Sequence, residues 1–178
     1  MSSLGQPFNL NEWINENRDV LRPPVGNKVI WSDSHMMVMI IGGPNHRNDF
    51  HINPTEEFFH QLQGSMLLEL MDENGERCDV RLQEGDVFMV PPWVPHGPRR
   101  KANTIGLVVE YWRPEGENDH FVWYCDNCNH LLNDTQFYLT ALDVDIKPEF
   151  ERFYASEELR TCEKCGTVKD VPQARDDF

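Results

Sequence analysis

Basic residues are scarce in this chain and long apolar runs are missing. Sixteen Lys and Arg stand against thirty Asp and Glu in 178 residues, a formal net charge of −14. That sign repels phosphate backbones and anionic lipid headgroups, and no basic stripe interleaved with aromatics breaks it. Nucleic-acid and membrane-surface partners are therefore not expected. An anionic small molecule is not excluded, because a few arginines can reverse the field inside a pocket. The longest apolar run, Met36 to Ile41, falls far short of the roughly 20 residues that span a bilayer. Met1 to Asn9 has neither the basic start nor the apolar stretch of a secretory signal. A cytoplasmic location is the expectation, and there thiols stay reduced. Five cysteines in such a compartment suggest metal binding or free thiols before disulfides.

Internal repeats and low-complexity linkers are also missing. With 39% hydrophobic and 26% charged residues the chain reads as globular, one domain over 1–178. Leu10, Trp13, Ile14 and Leu21 fall near helical spacing. Asn9 or Asn11 can cap that helix, and Pro23-Pro24 is expected to stop it. Between about 28 and 112 the texture is β, with short apolar stretches separated by Gly, Pro and Asn. Asn74-Gly75 marks a tight hairpin turn, and Cys78 in its second strand reads as a buried thiol. Many short strands without intervening helices point to a sandwich or barrel. From about 114 to 178 an appendage follows, with a helix expected around Pro148 to Leu159.

Two segments carry the chemistry. In residues 42–64, His51 and Glu57 are six residues apart, about 20 Å on a straight strand. Asn53-Pro54 between them favours a turn that brings them back together. Glu57 then opens a strand, where burial demands a partner or a metal. In residues 84–100, His96 follows a proline-rich loop. Two histidines and one carboxylate leave a face of an octahedral ion open, the arrangement used by non-haem Fe(II) oxygenases. Arg47 lies four residues before His51 and Arg100 four after His96, so both can reach the same opening. Spacing alone equally allows Arg99, Arg100 and Lys101 to form a solvated basic turn. Glu110 shares a strand face with Gly106 and Val108 and needs a partner, which a nearby Arg would supply.

These segments resemble the two motifs of the cupin superfamily. His51, Glu57 and Gly64 hold places of the first, with Asn53 where a second histidine usually stands. Gly85, Pro91 and His96 hold places of the second, with Trp93 replacing a glycine and Arg100 an asparagine. The resemblance implies an all-β cupin fold, a double-stranded β-helix or jelly-roll barrel with a few peripheral helices. More specifically, PFN, LRPPVGN, GGPNHR, EEFF, EGD, PPWVPH, VVE, FVWYC and the tail cysteines are similar to the 3-hydroxyanthranilate 3,4-dioxygenase family. That resemblance implies Fe(II) on His51, Glu57 and His96. It places Arg47, Arg100 and Glu110 around 3-hydroxyanthranilate and O2, and implies a homodimer. The implied reaction opens the ring to 2-amino-3-carboxymuconate 6-semialdehyde, the precursor of quinolinate.

Cys125 and Cys128, with Cys162 and Cys165, form two CxxC pairs that can complete a tetrahedron around one ion. Zinc and iron fit equally by ligand type, and a rubredoxin-like structural site is expected. Two other readings stay open. One is a cupin metalloenzyme for another small aromatic or polar substrate. The other is a non-enzymatic binding module with a zinc-ribbon tail, against which the acidity argues.

Overall fold

The computed structural model describes residues 6–22, 26–31, 33–140 and 147–172. Apolar stretches become strands because alternate side chains face two different environments. In chain order these are β1 (Asn27–Trp31), β2 (Met36–Gly42), β3 (Phe50–Ile52), β4 (Glu57–Gln63), β5 (Met66–Met71), β6 (Arg77–Leu82), β7 (Val87–Val90), β8 (His96–Arg100), β9 (Ile105–Tyr111), β10 (Asp119–Tyr124) and β11 (Leu131–Phe137). They form a five-stranded sheet, β1-β2-β9-β4-β7, and a six-stranded sheet, β11-β10-β3-β8-β5-β6. The pairings within them are antiparallel. Met37, Met39, Phe59, Val90 and Val108 from the first sheet pack on Met66, Leu68 and Leu82 from the second. Fold and core are thus set by two facing sheets.

The expected closed jelly-roll barrel is not what forms. Both sheets are open, with β1 and β7 at the edges of one and β11 and β6 at the edges of the other. Alternating patterns specify which side chains turn inward, and that is common to a sandwich and a barrel. Closure needs hydrogen-bonded ladders between edge strands. Here β7 is only four residues long and β1 carries a register shift between Val29 and Trp31, features that limit edge pairing.

The first helix, α1 (Leu10–Glu16), is capped by the Asn9 side chain, which accepts from the Glu12 N–H at 3.1 Å. It ends at Asn17, earlier than expected; Pro23 and Pro24 lie outside the described residues. Leu21 is buried, but in the turn that follows, where it joins Ile14 against Ile40 and Ile105 on the outer face of the five-stranded sheet. The β5–β6 hairpin turns at Asn74-Gly75 as expected. The Gly75 N–H bonds the Asp72 carbonyl at 3.0 Å, and Gly75 takes a positive φ of 76°. Cys78 is exposed rather than buried: it shares the inward face of β6 with Val80 and Leu82, but it lies near the hairpin end of an edge strand, where that face is left open. The single C-terminal helix becomes two, α2 (Lys147–Ala155) and α3 (Glu157–Arg160), since Ser156 caps a new helix with its side chain. Phe153 of α2 stacks on Trp123 of β10, ring centroids 4.1 Å apart.

Candidate metal centre and its surroundings

The chain turns back between β3 and β4, and that turn brings His51 to Glu57. His51 also stands opposite His96 across β3 and β8, with ring centroids 5.3 Å apart. His96 Nε2 lies 2.9 Å from Glu57 Oε2, and His51 Nδ1 lies 3.8 Å from the same oxygen. One donor atom from each of the three lies within 4.8 Å of the others. His96 Nδ1 donates to the Val94 carbonyl at 2.9 Å, which directs its Nε2 lone pair inward. Nitrogen and carboxylate donors gathered in a buried corner suit a divalent ion. The three residues singled out from spacing are therefore together and able to hold one.

Trp93 explains itself here. At the motif's glycine place it adopts a φ of 65°, a left-handed conformation that costs a non-glycine residue roughly 1–2 kcal/mol. Its N–H donates to the Asn53 carbonyl at 2.9 Å. The loop before His96 is thereby tied to the turn after His51.

Glu110 faces Glu57 across β4 and β9. The Asn53 side-chain amide sits between them, donating to Glu110 Oε2 at 3.1 Å and Glu57 Oε2 at 3.4 Å. The motif's missing histidine is thus an amide that bridges two carboxylates. Glu110's arginine is Arg113, Nη2 to Oε2 2.7 Å, not Arg47 or Arg100. Arg113 also grips Asp119 with Nε and Nη2, and Asp119 Oδ2 lies 2.7 Å from His51 Nε2. Sequence reasoning missed Arg113 and Asp119, because neither belongs to a recurring motif. Only their burial, 5% and 0% exposed, reveals them.

Charges follow from these contacts. Burial opposes the Glu57 charge, but His96, His51 and Arg113 outweigh it and hold the carboxyl down at about 2. Burial and the facing Glu57 push Glu110 up to about 7 against the pull of Arg113. Burial opposes the Asp119 charge, yet hydrogen bonds from His51 and Arg113 keep its carboxyl below the usual range. Burial lowers His51 despite Asp119, whereas Glu57 raises His96 in spite of burial.

Arg100 is not part of a solvated turn. It is 1% exposed and lies on the same inward strand face as His96, about 13 Å along β8. Its Nη1 donates to Gln61 Oε1 at 3.2 Å, and its Nε has no partner. Among the described residues no carboxylate forms an ion pair with it. Burial lowers its pKa to about 10. Between this cation and the histidine–carboxylate cluster lies an apolar layer of Phe59, Val108, Met39 and Leu68. Arg47, by contrast, is occupied. Its Nε donates to Asp49 Oδ1 at 2.8 Å, and its guanidinium lies over Phe121 and Phe150 at 5.4 and 5.2 Å.

A second cluster gathers Cys125, Cys128, Cys162 and Cys165. Their sulfurs also lie within 4.8 Å of one another, and all four are free thiols. The contacts Cys125–Cys165 at 3.5 Å and Cys128–Cys162 at 3.6 Å are close to the ~3.8 Å edge of a tetrahedron with 2.3 Å metal–sulfur bonds. Each pair is a knuckle. The Asn129 N–H bonds the Cys125 carbonyl at 3.0 Å and the Gly166 N–H bonds the Cys162 carbonyl at 2.8 Å. Both closing residues have positive φ, 54° and 75°. The donors fit one thiophilic ion, distinct from the first centre.

Two facing sheets that enclose a two-histidine, one-carboxylate cluster, with a four-thiol cluster beyond, define a β-sandwich built around two sites able to hold metal. Comparison with known proteins is specific. The family model described as 3-hydroxyanthranilic acid dioxygenase matches residues 2–154. The chain belongs to that family. It is 48% identical over 168 residues to a protein named 3-hydroxyanthranilate 3,4-dioxygenase from Bacillus thuringiensis (strain Al Hakam), covering 94% of each. A protein of the same name from Burkholderia cenocepacia (strain J2315) is 46% identical over 178 residues, covering 99% of this chain and all of that one. A solved cupin-2 domain protein from Shewanella frigidimarina is 17% identical with a TM-score of 0.46, over 55% of this chain and 91% of the other. Among the described residues no helix is long and apolar enough to cross a membrane.

Proposed function

We propose that this chain is an iron(II)-dependent ring-opening dioxygenase. It converts 3-hydroxyanthranilate and O2 to 2-amino-3-carboxymuconate 6-semialdehyde, the precursor of quinolinate on the route from tryptophan to NAD. His51, Glu57 and His96 would hold the iron, which when bound supplies the electronic coupling between an electron-rich ring and O2.

The observation that carries the reading is Arg100. A buried guanidinium beside one neutral amide is short of an anion, and the substrate's carboxylate is one. The ring would then lie on Phe59, Val108 and Met39, with its amino and hydroxyl groups toward the histidine–carboxylate cluster. Glu110, pushed up to about 7, is matched to accept a proton from one of those groups near neutrality. Arg47, already neutralised by Asp49, would shape the rim and contact the substrate or O2 rather than carry the main charge.

The four cysteines would hold a structural zinc or iron. The whole of 1–178 would act as one domain, since β10 and β11 continue the six-stranded sheet. A homodimer fits the outer face of the five-stranded sheet, where Met89, Phe58, Val109, Val38 and Trp31 form an apolar row across all five strands. Light scattering giving the 20.8 kDa monomer mass would remove that part.

The test of the activity is anaerobic Fe(II) reconstitution followed by 3-hydroxyanthranilate, with absorbance and oxygen uptake recorded together. Glu57→Ala should be nearly inactive even in excess iron. Wild-type turnover in that variant would overturn the assignment of the centre.

A further inference from the structure

We propose that Asp119 is a positioning residue of the metal centre. Clamped by Arg113, it accepts the Nε2–H of His51 and so turns the Nδ1 lone pair of that ring toward Glu57 and His96. The inference rests on the proposed assignment of His51, Glu57 and His96 as the ligand set.

Three observations carry it. First, neutral imidazole has one N–H, and the carboxylate 2.7 Å from Nε2 fixes where that hydrogen sits. The nitrogen left with a lone pair is Nδ1, the atom that faces Glu57 at 3.8 Å. Second, Asp119 cannot swing away. Both its oxygens are held by the Arg113 guanidinium, and neither residue's side chain is accessible. Arg113 is itself fixed through its Nη1 to the Tyr111 carbonyl at 2.7 Å and through Glu110. Third, the geometry spans independent elements. His51 is on β3, Asp119 opens β10, and the two strands pair directly, with Phe121 opposite His51. A surface ion pair would not need two paired strands and two buried charges to hold one ring nitrogen. His96 reaches the same end by a different route, its Nδ1 donating to the Val94 carbonyl. The two ligand histidines thus have separate orienting partners, one charged and one neutral.

A merely structural role for Asp119, neutralising Arg113, would affect stability and leave metal affinity alone. The experiment therefore measures Fe(II) affinity of the full chain anaerobically, by competition with a ferrous chelator. Wild type, His96→Ala, Asp119→Ala and Asp119→Asn are compared, beside melting curves. Electron paramagnetic resonance of the nitric-oxide-treated iron protein reports the ligand field. The expected result is near-complete loss of iron binding in His96→Ala and a fall of roughly 10–100-fold in Asp119→Ala. Asp119→Asn, with an acceptor oxygen but no charge, should fall between wild type and Asp119→Ala, and the spectra of both Asp119 variants should shift. Should Asp119→Ala fail to fold, Asp119→Asn decides alone. Wild-type affinity and an unchanged spectrum in the folded Asp119 variant, with His96→Ala defective, would overturn this inference and leave the ligand set standing. Wild-type affinity in His96→Ala would overturn both.

Discussion

At the residue scale the most informative group is a charge that the folded chain leaves without a counter-charge. A buried arginine destabilises the protein unless something compensates it. Arg100 has the Gln61 amide, and its nearest electrostatic help is Glu57, which the histidines already engage. The chain thus carries a cost in the substrate-free state that an incoming carboxylate would relieve. Replacing Arg100 by Met, of similar length and without charge, should have two opposite effects. Substrate affinity of the iron-loaded protein should fall by roughly 2–5 kcal/mol, the usual cost of truncating one side of a desolvated pair. The melting temperature of the substrate-free protein should hold steady or rise, as buried charges replaced by apolar groups often allow. Substrate titration and a melting curve on the same preparation check both. Unchanged substrate affinity would transfer recognition to Arg47 in spite of its partner Asp49.

At the element scale, strand alternation arranges the inward face in three levels. Glu57 and Glu110 share one, Phe59 and Val108 the next, and Gln61 and Gly106 the third, each pair aligned across β4 and β9. Gly106 is the element's contribution to Arg100. A Cβ there would stand 2.5 Å from Arg100 Nη1, far inside contact distance, so the guanidinium lies where any other residue's side chain would begin. Gly106→Ala should push the guanidinium aside, raising the KM for 3-hydroxyanthranilate about tenfold while iron content stays at the wild-type level. Steady-state kinetics beside an iron assay test this, and a normal KM would show that the side chain adapts. This level structure was partly legible in the sequence. The period-two run from Glu57 to Gln63 gave one face, and Gly106, Val108 and Glu110 gave another. The cluster was legible because three ligands of two types at motif spacing constrain one another. Arg113 and Asp119 were not, because a buried ion network leaves no periodic mark and depends on which loops meet. Sheet closure was illegible for a related reason: inward and outward faces are written in alternation, whereas edge-to-edge pairing is not. The early end of α1 was hidden as well, since Leu21 keeps helical spacing while being buried from a turn.

At the scale of the whole molecule, β10 joins the two candidate metal centres. Asp119 at its start contacts His51, and Cys125 follows its end. Six residues of strand separate these points by roughly 20 Å, too far for one small aromatic molecule to touch both. The four-thiol cluster also presents only negative ligands, a poor surface for an anionic substrate. Its neighbours point to fastening. Lys169 reaches Asp126 at 2.6 Å, and Arg77 of β6 bonds Asn129 at 2.8 Å and Asp126 at 3.3 Å. The cysteine knuckles therefore tie the C-terminal segment to β10 and to the end of the β5–β6 hairpin. A structural zinc can contribute on the order of 10–16 kcal/mol of apparent binding energy to the fold around it. Cys162→Ser removes one of four thiolates and loosens that tie, so the melting temperature should fall clearly. Because β10 also carries Asp119, the loss should lower the fraction of chains that hold catalytic iron, yet turnover per bound iron should stay within a few-fold of wild type. The measurement is single-turnover ring opening at low temperature, normalised to iron at the histidine–carboxylate centre and set beside the melting curve. A variant with an intact fold and full catalytic iron but no ring opening would make the thiolate centre a participant in the chemistry, and the separation along β10 would have to be bridged by electrons rather than by substrate.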